Sequence, residues 1–199
     1  MIVLDIETSG LDMEKCGIWQ IGAIEVENPK NYFLEEGKID DSDIIQDSAL
    51  KVIGKTEEYL REKNKKTQKE LLESFFIWAS KIRNKDCICQ NPQFDLIFLT
   101  IKSNKYGINY PLPYRSYDLH SIAQLKYFQV KKEFLNKSLI SNMGLSNILL
   151  FCGIPDNRKD HNALEDSRLT LECFYRIVYS KPLLLEYKNC KMPNYLELT

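Results

Sequence analysis

Two carboxylates near the start of the chain stand two positions apart. Asp5 and Glu7 occur in Leu4-Asp5-Ile6-Glu7-Thr8, at the end of a short apolar, β-branched run. In a β-strand, residues two apart point to the same face of the sheet. The two carboxylates would then lie side by side, where repulsion and burial make ionisation costly. A bound cation removes both costs, whereas at a solvated strand end these acids would be ordinary surface residues.

Two further acidic positions stand where predicted helices begin. Asp95 follows a short apolar strand, and a carboxylate there can bind a metal or simply complement the positive end of the helix dipole. His161 and Asp166 lie at the start of the last long helix, which Asp160 or Asn162 can cap. Taken singly, each pattern is also that of an ordinary helix start.

Together, and in their order along the chain, these residues resemble the three exonuclease motifs of the DEDDh superfamily, the DnaQ-like 3′→5′ exonucleases. The first motif is matched by Asp5-Ile6-Glu7-Thr8-Ser9-Gly10-Leu11 and, on the next strand, by Gln20-Ile21-Gly22-Ala23-Ile24. The second is matched by Asn91, Phe94, Asp95, Phe98 and Leu99. The third is matched by His161-Asn162-Ala163-Leu164-Glu165-Asp166, which fits H-x-A-x-x-D.

The chain departs from the family pattern at the second motif. The family commonly has His-Asn there, whereas this chain has Gln90-Asn91 followed by Pro92. The replaced position is not a metal ligand in the family, so we expect altered substrate contacts rather than inactivity. We also expect Pro92 to reshape the turn that presents Asp95. All four acids and the histidine are retained, which argues against an inactive relative.

The resemblance implies a metal-dependent phosphodiesterase. Asp5, Glu7, Asp95 and Asp166 would hold two Mg²⁺ or Mn²⁺ ions, because these hard cations prefer oxygen ligands. His161 would be the general base that accepts a proton from the attacking water. The enzyme would release nucleoside 5′-monophosphates from the 3′ ends of single-stranded nucleic acid, with DNA favoured over RNA.

The resemblance also suggests which residues hold the substrate. Thr8, Gly10 and Leu11 match the place where the family forms a wall for the terminal nucleotide. Asn91 and Phe94 are the candidates from the second motif, although Phe94 can equally pack in the core.

Two basic clusters could guide the rest of the strand. One spans residues 63–69, and the other combines Lys126, Lys131 and Lys132 with the rings of Tyr127 and Phe128. The second mixture suits single-stranded nucleic acid, because bases stack on aromatic rings while lysines contact phosphates. Either cluster can instead be the solvated face of a helix.

Three functional hypotheses stay open at this point. The first is an active 3′→5′ exonuclease on single-stranded DNA or RNA ends. The second is a binding or scaffold module without turnover, which the retained acids and His161 disfavour. The third is a metal phosphoesterase acting on dinucleotides or short oligoribonucleotides, which a compact substrate channel would favour.

The hydrophobic pattern predicts an α/β fold that would position these residues. Strands are predicted at residues 2–6, 18–26, 32–39, 87–89 and 115–119. Helices are predicted at residues 48–60, 67–82, 94–101, 145–151 and 163–179. Strands first, then helices alternating with strands, indicate a mixed sheet flanked by helices. The resemblance implies that this central five-stranded sheet has the ribonuclease H-like fold.

Composition and charge exclude several classes of protein. The chain has 199 residues, of which 44% are hydrophobic and 28% charged, which excludes a wholly disordered, collagen-like or coiled-coil chain. A net charge of -1 argues against coating of nucleic acid by the whole surface, but not against a local basic path. No apolar run is long enough for a membrane span, and no export signal is visible at residues 1–5. With six cysteines that lack zinc-finger spacing, we expect a cytoplasmic protein with reduced thiols and no membrane association.

The last residues lie beyond the part of the chain that carries the resemblance. We predict a DEDDh exonuclease domain over residues 1–180 and a C-terminal extension over residues 181–199. This partly apolar extension either docks a protein partner or packs on its own domain.

Overall fold

A computed structural model describes residues 1–159 and 161–197, and it is built around a six-stranded mixed sheet with helices on both faces. The strands of this sheet are β1 (Ile2–Thr8), β2 (Ile18–Glu25), β3 (Tyr32–Lys38), β4 (Lys66–Thr67), β5 (Cys87–Cys89) and β6 (Ser116–Asp118). A separate hairpin consists of β7 (Asn136–Lys137) and β8 (Ile140–Ser141). The helices are α1 (Asp47–Ile53), α2 (Glu57–Leu60), α3 (Gln68–Ser80), α4 (Pro92–Tyr106), α5 (Leu119–Lys131), α6 (Leu145–Phe151) and α7 (Ala163–Tyr179). Within the described ranges, none of these helices combines the length and apolar character that a membrane span requires.

The sheet has the strand order β4-β3-β2-β1-β5-β6. The first three strands form an antiparallel meander, while β5 and β6 run parallel to β1. The predicted α/β class is therefore confirmed. The sheet has six strands rather than five, because two residues before α3 pair with the edge of β3 as β4. A two-residue strand is too short to produce a recognisable alternating pattern.

Alternation along β1 divides the interior into two apolar cores. Ile2, Leu4 and Ile6 belong to the core beneath α3 and α4, whereas Val3 belongs to the opposite core, built with α5, α6 and α7. Because side chains alternate with a period of two, Asp5 and Glu7 share the face of Val3. Both acids therefore lie on the side of the sheet that α7 covers.

Most predicted helices are present, but several of their bounds differ, and α4 ends at Tyr106 rather than at residue 101. The single helix predicted over 48–60 is wrong, because Gly54 adopts a φ of 64° and separates α1 from α2. α4 begins at Pro92, two residues before its predicted start, since the fixed φ of proline suits the first turn of a helix. α3 begins after Thr67, which forms a capping box with Glu70.

The sequence pattern also missed α5 and the hairpin that follows it. Leu125 and Phe128 of α5 are exposed, so the apolar stripe of this helix is weak. The carboxylate of Asp118 caps α5 by accepting the backbone N–H groups of His120 and Ser121 at 3.0 and 3.2 Å. A side-chain cap of this kind stabilises a helix start independently of the hydrophobic pattern.

The segment after α7 packs against the core of α5, α6 and α7. Glu172 and Arg176 of α7 are fully buried and form an ion pair at 2.8 Å. Arg176 donates to three backbone carbonyls, those of Cys152, Tyr187 and Cys190. Glu172 accepts the N–H groups of Leu183 and Leu184 at 3.0 and 2.8 Å. Because unpaired buried charges are costly, these bonds fix the segment on its own domain. The division at residue 180 stays a prediction.

Candidate active site

A cavity of about 540 Å³ opens at the end of β1. Its lining contains the five predicted catalytic residues, Asp5, Glu7, Asp95, His161 and Asp166. The same lining contains the five predicted substrate residues, Thr8, Gly10, Leu11, Asn91 and Phe94. The fold thus brings together side chains that are up to 161 positions apart along the chain.

Gly22 of β2 determines where α7 begins. A Cβ atom at this position would overlap the backbone of Ala163 and would lie 2.5 Å from its carbonyl oxygen. The Ala163 N–H donates to the side chain of Gln20 at 2.8 Å, and the hydroxyl of Ser167 donates to the carbonyl of Gly22 at 2.9 Å. α7 therefore starts in direct contact with β2, and its first turn carries Asp166 into the cavity.

Asp95 enters the cavity from the opposite side, on the first turn of α4. Its Oδ1 atom accepts the backbone N–H of Ile6 at 3.1 Å. α4 begins after Asn91, whose φ of 76° lies in the left-handed region that asparagine tolerates better than most residues. The N–H of Asn91 donates to Asp118 at 3.2 Å, which holds this turn.

Burial and mutual repulsion raise the pKa of three carboxyl groups in the cavity, those of Asp5, Glu7 and Asp95. Burial, followed by the charges of Asp95 and Glu7, raises the pKa of Asp5 well above its ordinary value. Burial also raises the pKa of Glu7 to about 7 and that of Asp95 to about 8. The folded chain alone therefore opposes full ionisation of its own acidic cluster.

The donor set of this cavity fits a divalent cation. The Oε1 atom of Glu7 is buried and has no hydrogen-bond partner among the described residues. Glu7, His161 and Asp166 each offer one ligand atom, and these atoms lie within 4.8 Å of one another. A cation at this place would satisfy the Glu7 oxygen and offset the repulsion among the carboxylates.

His161 stands at the exposed mouth of the cavity, with 45% of its side chain accessible. Its Nδ1 atom lies 3.3 Å from Oδ2 of Asp166. This contact with Asp166 raises the pKa of the imidazole above its ordinary value. Histidine in such a position can exchange protons with a solvent-accessible substrate.

Arg158 is a residue of the cavity that the sequence analysis missed. Its guanidinium donates to Asp166 at 3.0 Å and to Ser146 at 2.9 Å, and it holds Asp156 through two bonds of 2.9 and 2.8 Å. Its charge partly offsets the burial that raises the pKa of Asp5 and Glu7. In the sequence, the position of Arg158 three residues before His161 was a sign that it could lie near the site. A loop arginine, however, has no local pattern that indicates its partners.

The wall near the end of β1 combines rigid backbone with an exposed apolar residue. The Thr8 hydroxyl donates to the carbonyl of Gly10 at 2.7 Å. A Cβ at Gly10 would lie 2.6 Å from the side chain of Gln46, a second residue that the sequence analysis missed. Gln46 accepts the N–H of Leu11, whose side chain is 73% exposed. Phe94 both lines the cavity and packs on Phe98, with ring centroids 4.9 Å apart.

The chain matches known exonucleases along most of its length. The family model RNase_T, described as exonuclease, matches residues 2–174. Two curated relatives are DNA polymerases III of the PolC type, from Thermotoga petrophila at 27% identity and Thermotoga maritima at 26%, each over 178 residues. These matches cover 89% of this chain but 12% of each relative, so the chain spans about an eighth of their length.

Three solved structures share the fold. The zinc-bound E. coli ExoI–ssDNA complex has a TM-score of 0.72 at 17% identity, over 94% of this chain and 42% of that one. Cell-death related nuclease 4 (CRN-4) has a TM-score of 0.69 at 16% identity, over 91% and 64%. The nuclease domain of 3′hExo, a DEDDh family member bound to rAMP, has a TM-score of 0.66 at 14% identity, over 96% and 94%.

These comparisons confirm the predicted ribonuclease H-like fold and the resemblance drawn from the three motifs. The match to the exonuclease family covers the sheet, the cavity and most of α7. The family is metal-dependent, in agreement with the donor set of the cavity. The chain therefore belongs to the exonuclease family.

Proposed function

We propose that this chain removes nucleotides from the 3′ end of single-stranded nucleic acid, DNA in preference to RNA, and releases nucleoside 5′-monophosphates. The observation that carries the proposal is the convergence of Asp5, Glu7, Asp95 and Asp166 in one cavity, where a buried oxygen of Glu7 lacks a partner. The preference for DNA is supported by the PolC-type relatives, which are DNA polymerases, and by ExoI, which is described in complex with ssDNA.

The four acids would hold two Mg²⁺ or Mn²⁺ ions. When bound, such ions neutralise the scissile phosphate and act as Lewis acids toward it. Asp5 and Glu7 approach from β1, Asp95 from α4 and Asp166 from α7, so three separate elements fix the ligand positions. Oxygen-only donors favour these hard ions over softer transition metals.

We assign His161 the role of general base. The water oxygen bonds to phosphorus, and one water proton passes to the imidazole. The bond from phosphorus to O3′ breaks, and O3′ leaves with the bonding electrons and takes up a proton from solvent. The exposed position of His161 at the mouth of the cavity supports this role, since the ring is accessible to water and substrate. Its contact with Asp166 orients the ring toward the cavity.

The residues around the acidic cluster would hold the terminal nucleotide. Leu11 and Phe94 offer apolar surface to the base and sugar, and Leu11 is exposed enough to do so without rearrangement. Thr8, Gly10 and Asn91 complete the wall with backbone and polar groups that suit a phosphate or a hydroxyl.

A digestion panel tests the proposal. Single- and double-stranded DNA and RNA, labelled at either end, are incubated with Mg²⁺ or Mn²⁺. We expect 5′-labelled single strands to shorten stepwise and 3′-labelled strands to release a labelled monophosphate at once. A 3′-phosphate should block digestion and a 5′-phosphate should not. Degradation of RNA alone would favour the oligoribonuclease alternative, and no degradation of any substrate would refute the proposal.

The cellular location of the protein and its possession of a protein partner stay proposals. A cytoplasmic location is supported by the six cysteines, all of which carry free thiols in the structure. A protein partner at residues 181–199 stays a prediction, and Leu185, 81% exposed, is the side chain in that segment best placed for such a contact.

A further inference from the structure

Large apolar side chains project into solvent on α5 and on the hairpin that follows it. We call this region the hairpin surface and define it as the outer face of α5 from residue 126 together with the loop and hairpin to residue 141. Its exposed apolar residues are Phe128 (40%), Phe134 (54%), Leu139 (98%) and Ile140 (73%). We propose that the hairpin surface binds the single strand on the 5′ side of the nucleotide being removed. This inference rests on the proposed function.

The tip of the hairpin carries a residue that the fold itself does not explain. Ser138 and Leu139 have φ angles of 50° and 66°, in the left-handed region. Two-residue hairpin turns of this kind favour Asn and Gly, and leucine is a costly choice there. Burial of the side chain does not offset this conformational cost, because Leu139 is 98% exposed. Contact with another molecule accounts for an apolar side chain at this position.

The charge and the rings of the surface select the class of that molecule. Residues 126–141 contain four lysines and one acid, whereas the whole chain has a net charge of -1. Phe128 and Phe134 stack with ring centroids 4.8 Å apart and an interplanar angle of 25°. Exposed rings between lysines are what a single strand requires, since its bases stack and its phosphates need counter-charges.

The hairpin is packed on α5 and is joined along the chain to residues that line the cavity. His120 contacts the hydroxyl of Ser141 at 2.7 Å, and Gln124 bonds to Ser141 and Leu135 at 2.6 to 3.0 Å, which fixes the hairpin on α5. The chain then runs directly into residues 144–146, which line the cavity.

Chain geometry limits how far the surface lies from the reacting nucleotide. Ile140 is four positions before Gly144, so their Cα atoms are at most about 14 Å apart. An extended single strand advances at least about 3.4 Å per nucleotide, which is the rise per strand in a duplex. The Ile140 end of the hairpin surface therefore lies within about four nucleotides of the cavity rim.

Substrates of different length separate this inference from the proposed function. The p-nitrophenyl ester of thymidine 5′-monophosphate occupies only the cavity, whereas d(T)12 also reaches the hairpin surface. The variants are Leu139→Asn, Phe134→Ala and the double variant Lys132→Gln/Lys137→Gln. Leu139→Asn cannot remove buried packing and suits the turn. Leu185→Asn and Lys81→Gln are the controls, since both replace exposed residues elsewhere.

We expect each hairpin variant to raise KM for d(T)12 with little change in kcat or in the kinetics of the ester. Loss of a base stack at Phe134 corresponds to about 5- to 100-fold weaker binding. The double lysine variant should also reduce the slope of log(kcat/KM) against log salt by about 1.4, because each phosphate contact on a single strand contributes about 0.7. The two control variants should behave like the wild type on both substrates.

Equal kinetics on d(T)12 for the hairpin variants and the controls would overturn the inference. It would also be overturned if light scattering showed self-association of the wild type that Leu139→Asn abolishes, with d(T)12 kinetics unchanged, because the surface would then bind a second copy of the chain. If the wild type cleaves neither substrate, the proposed function fails instead. Fluorescence anisotropy of labelled d(T)12 in chelator, compared between variants and controls, then still decides whether the hairpin surface binds the strand.

Discussion

The backbone of Ala163 rests directly on Gly22, with no room between them for a side-chain carbon. Gly22 is also the register partner of Asp5 across the β1–β2 pair. One close approach therefore aligns the start of α7 with the strand that carries the first two acids. The position of Asp166 relative to Asp5 follows from it.

We expect Gly22→Ala to destabilise the protein by about 2–3 kcal/mol, a typical cost of overpacking, and to reduce exonuclease activity because Asp166 is displaced. Urea denaturation and initial digestion rates measure the two effects. Gly144→Ala is the control for the urea measurement, because a Cβ there meets nothing within 4 Å, and it should cost less than about 1 kcal/mol. Wild-type stability and rate in Gly22→Ala would contradict the role given to this contact.

Substitutions of the neighbouring acids Glu165 and Asp166 should have very different effects on the digestion rate. Asp166 is buried in the cavity, whereas Glu165 is exposed on the same turn of α7. Asp166→Asn should lower the rate at least about 100-fold, as expected for a lost metal ligand, and Asp5→Asn should do the same. Glu165→Gln should retain most of the activity. Comparable losses in Glu165→Gln and Asp166→Asn would mean that general acidity of this helix, and not ligation, sustains the reaction.

The raised pKa values of side chains in the cavity make the stability of the metal-free protein depend on pH. The pKa of Glu7 is about 7 and that of Asp95 about 8, against ordinary values of 4.5 and 3.8. The folded state therefore keeps protons that the unfolded chain has released, and stability falls as pH rises from about 4.5 to 8. The raised pKa of His161 acts in the same direction, because the stability it contributes is lost as pH rises.

Thermal unfolding in chelator should accordingly show a Tm that falls between pH 5 and pH 8. Mg²⁺ should raise Tm more at pH 8 than at pH 5, since protons and cations compete for the same oxygens. Asp95→Asn should flatten the metal-free profile, because it removes one of the groups responsible. A metal-free Tm that rises over this range would show that the acids are not buried as described.

In the metal-free protein, the positive charge of Arg158 offsets the negative charge of the buried Asp166 carboxylate. Loss of Arg158 should therefore lower the stability of the protein most when no metal is bound. The two side chains are 11% and 6% exposed, so Arg158→Met should cost about 3 kcal/mol in chelator. Saturating Mg²⁺ should restore part of this loss. Arg168→Met is the control, because its pair with Glu186 lies at the surface and should contribute less than about 1 kcal/mol whether or not metal is present. Identical losses with and without Mg²⁺ would assign Arg158 a purely structural role.

The two histidines of the chain allow a matched test of the general base. His161→Ala should lower kcat on the thymidine ester about 100- to 10,000-fold while leaving Mn²⁺ affinity within a few-fold of the wild type. His120→Ala should leave the ester reaction unchanged, because His120 contacts Ser141 and is not part of the cavity lining. An unaltered kcat in His161→Ala would show that another group takes the proton.

Local patterns in the sequence account for much of the fold and for the acidic cluster. The alternation of β1 places Asp5 and Glu7 on one face, and the cap at Asn162 fixes the start of α7. Gly54 was missed because a single glycine is compatible with a helical pattern until its φ is known. The cluster of lysines and aromatic rings at residues 126–132 was identified from the sequence. Arg158 and the hairpin at residues 136–141 were missed, because their contacts join segments that no local period connects.

The most direct test is diffraction at the manganese absorption edge from crystals soaked with Mn²⁺ and thymidine 5′-monophosphate. We expect two manganese peaks in the cavity, held by carboxylate oxygens of Asp5, Glu7, Asp95 and Asp166. An empty cavity, or ions bound only elsewhere, in a protein that digests DNA with Mn²⁺ would contradict it.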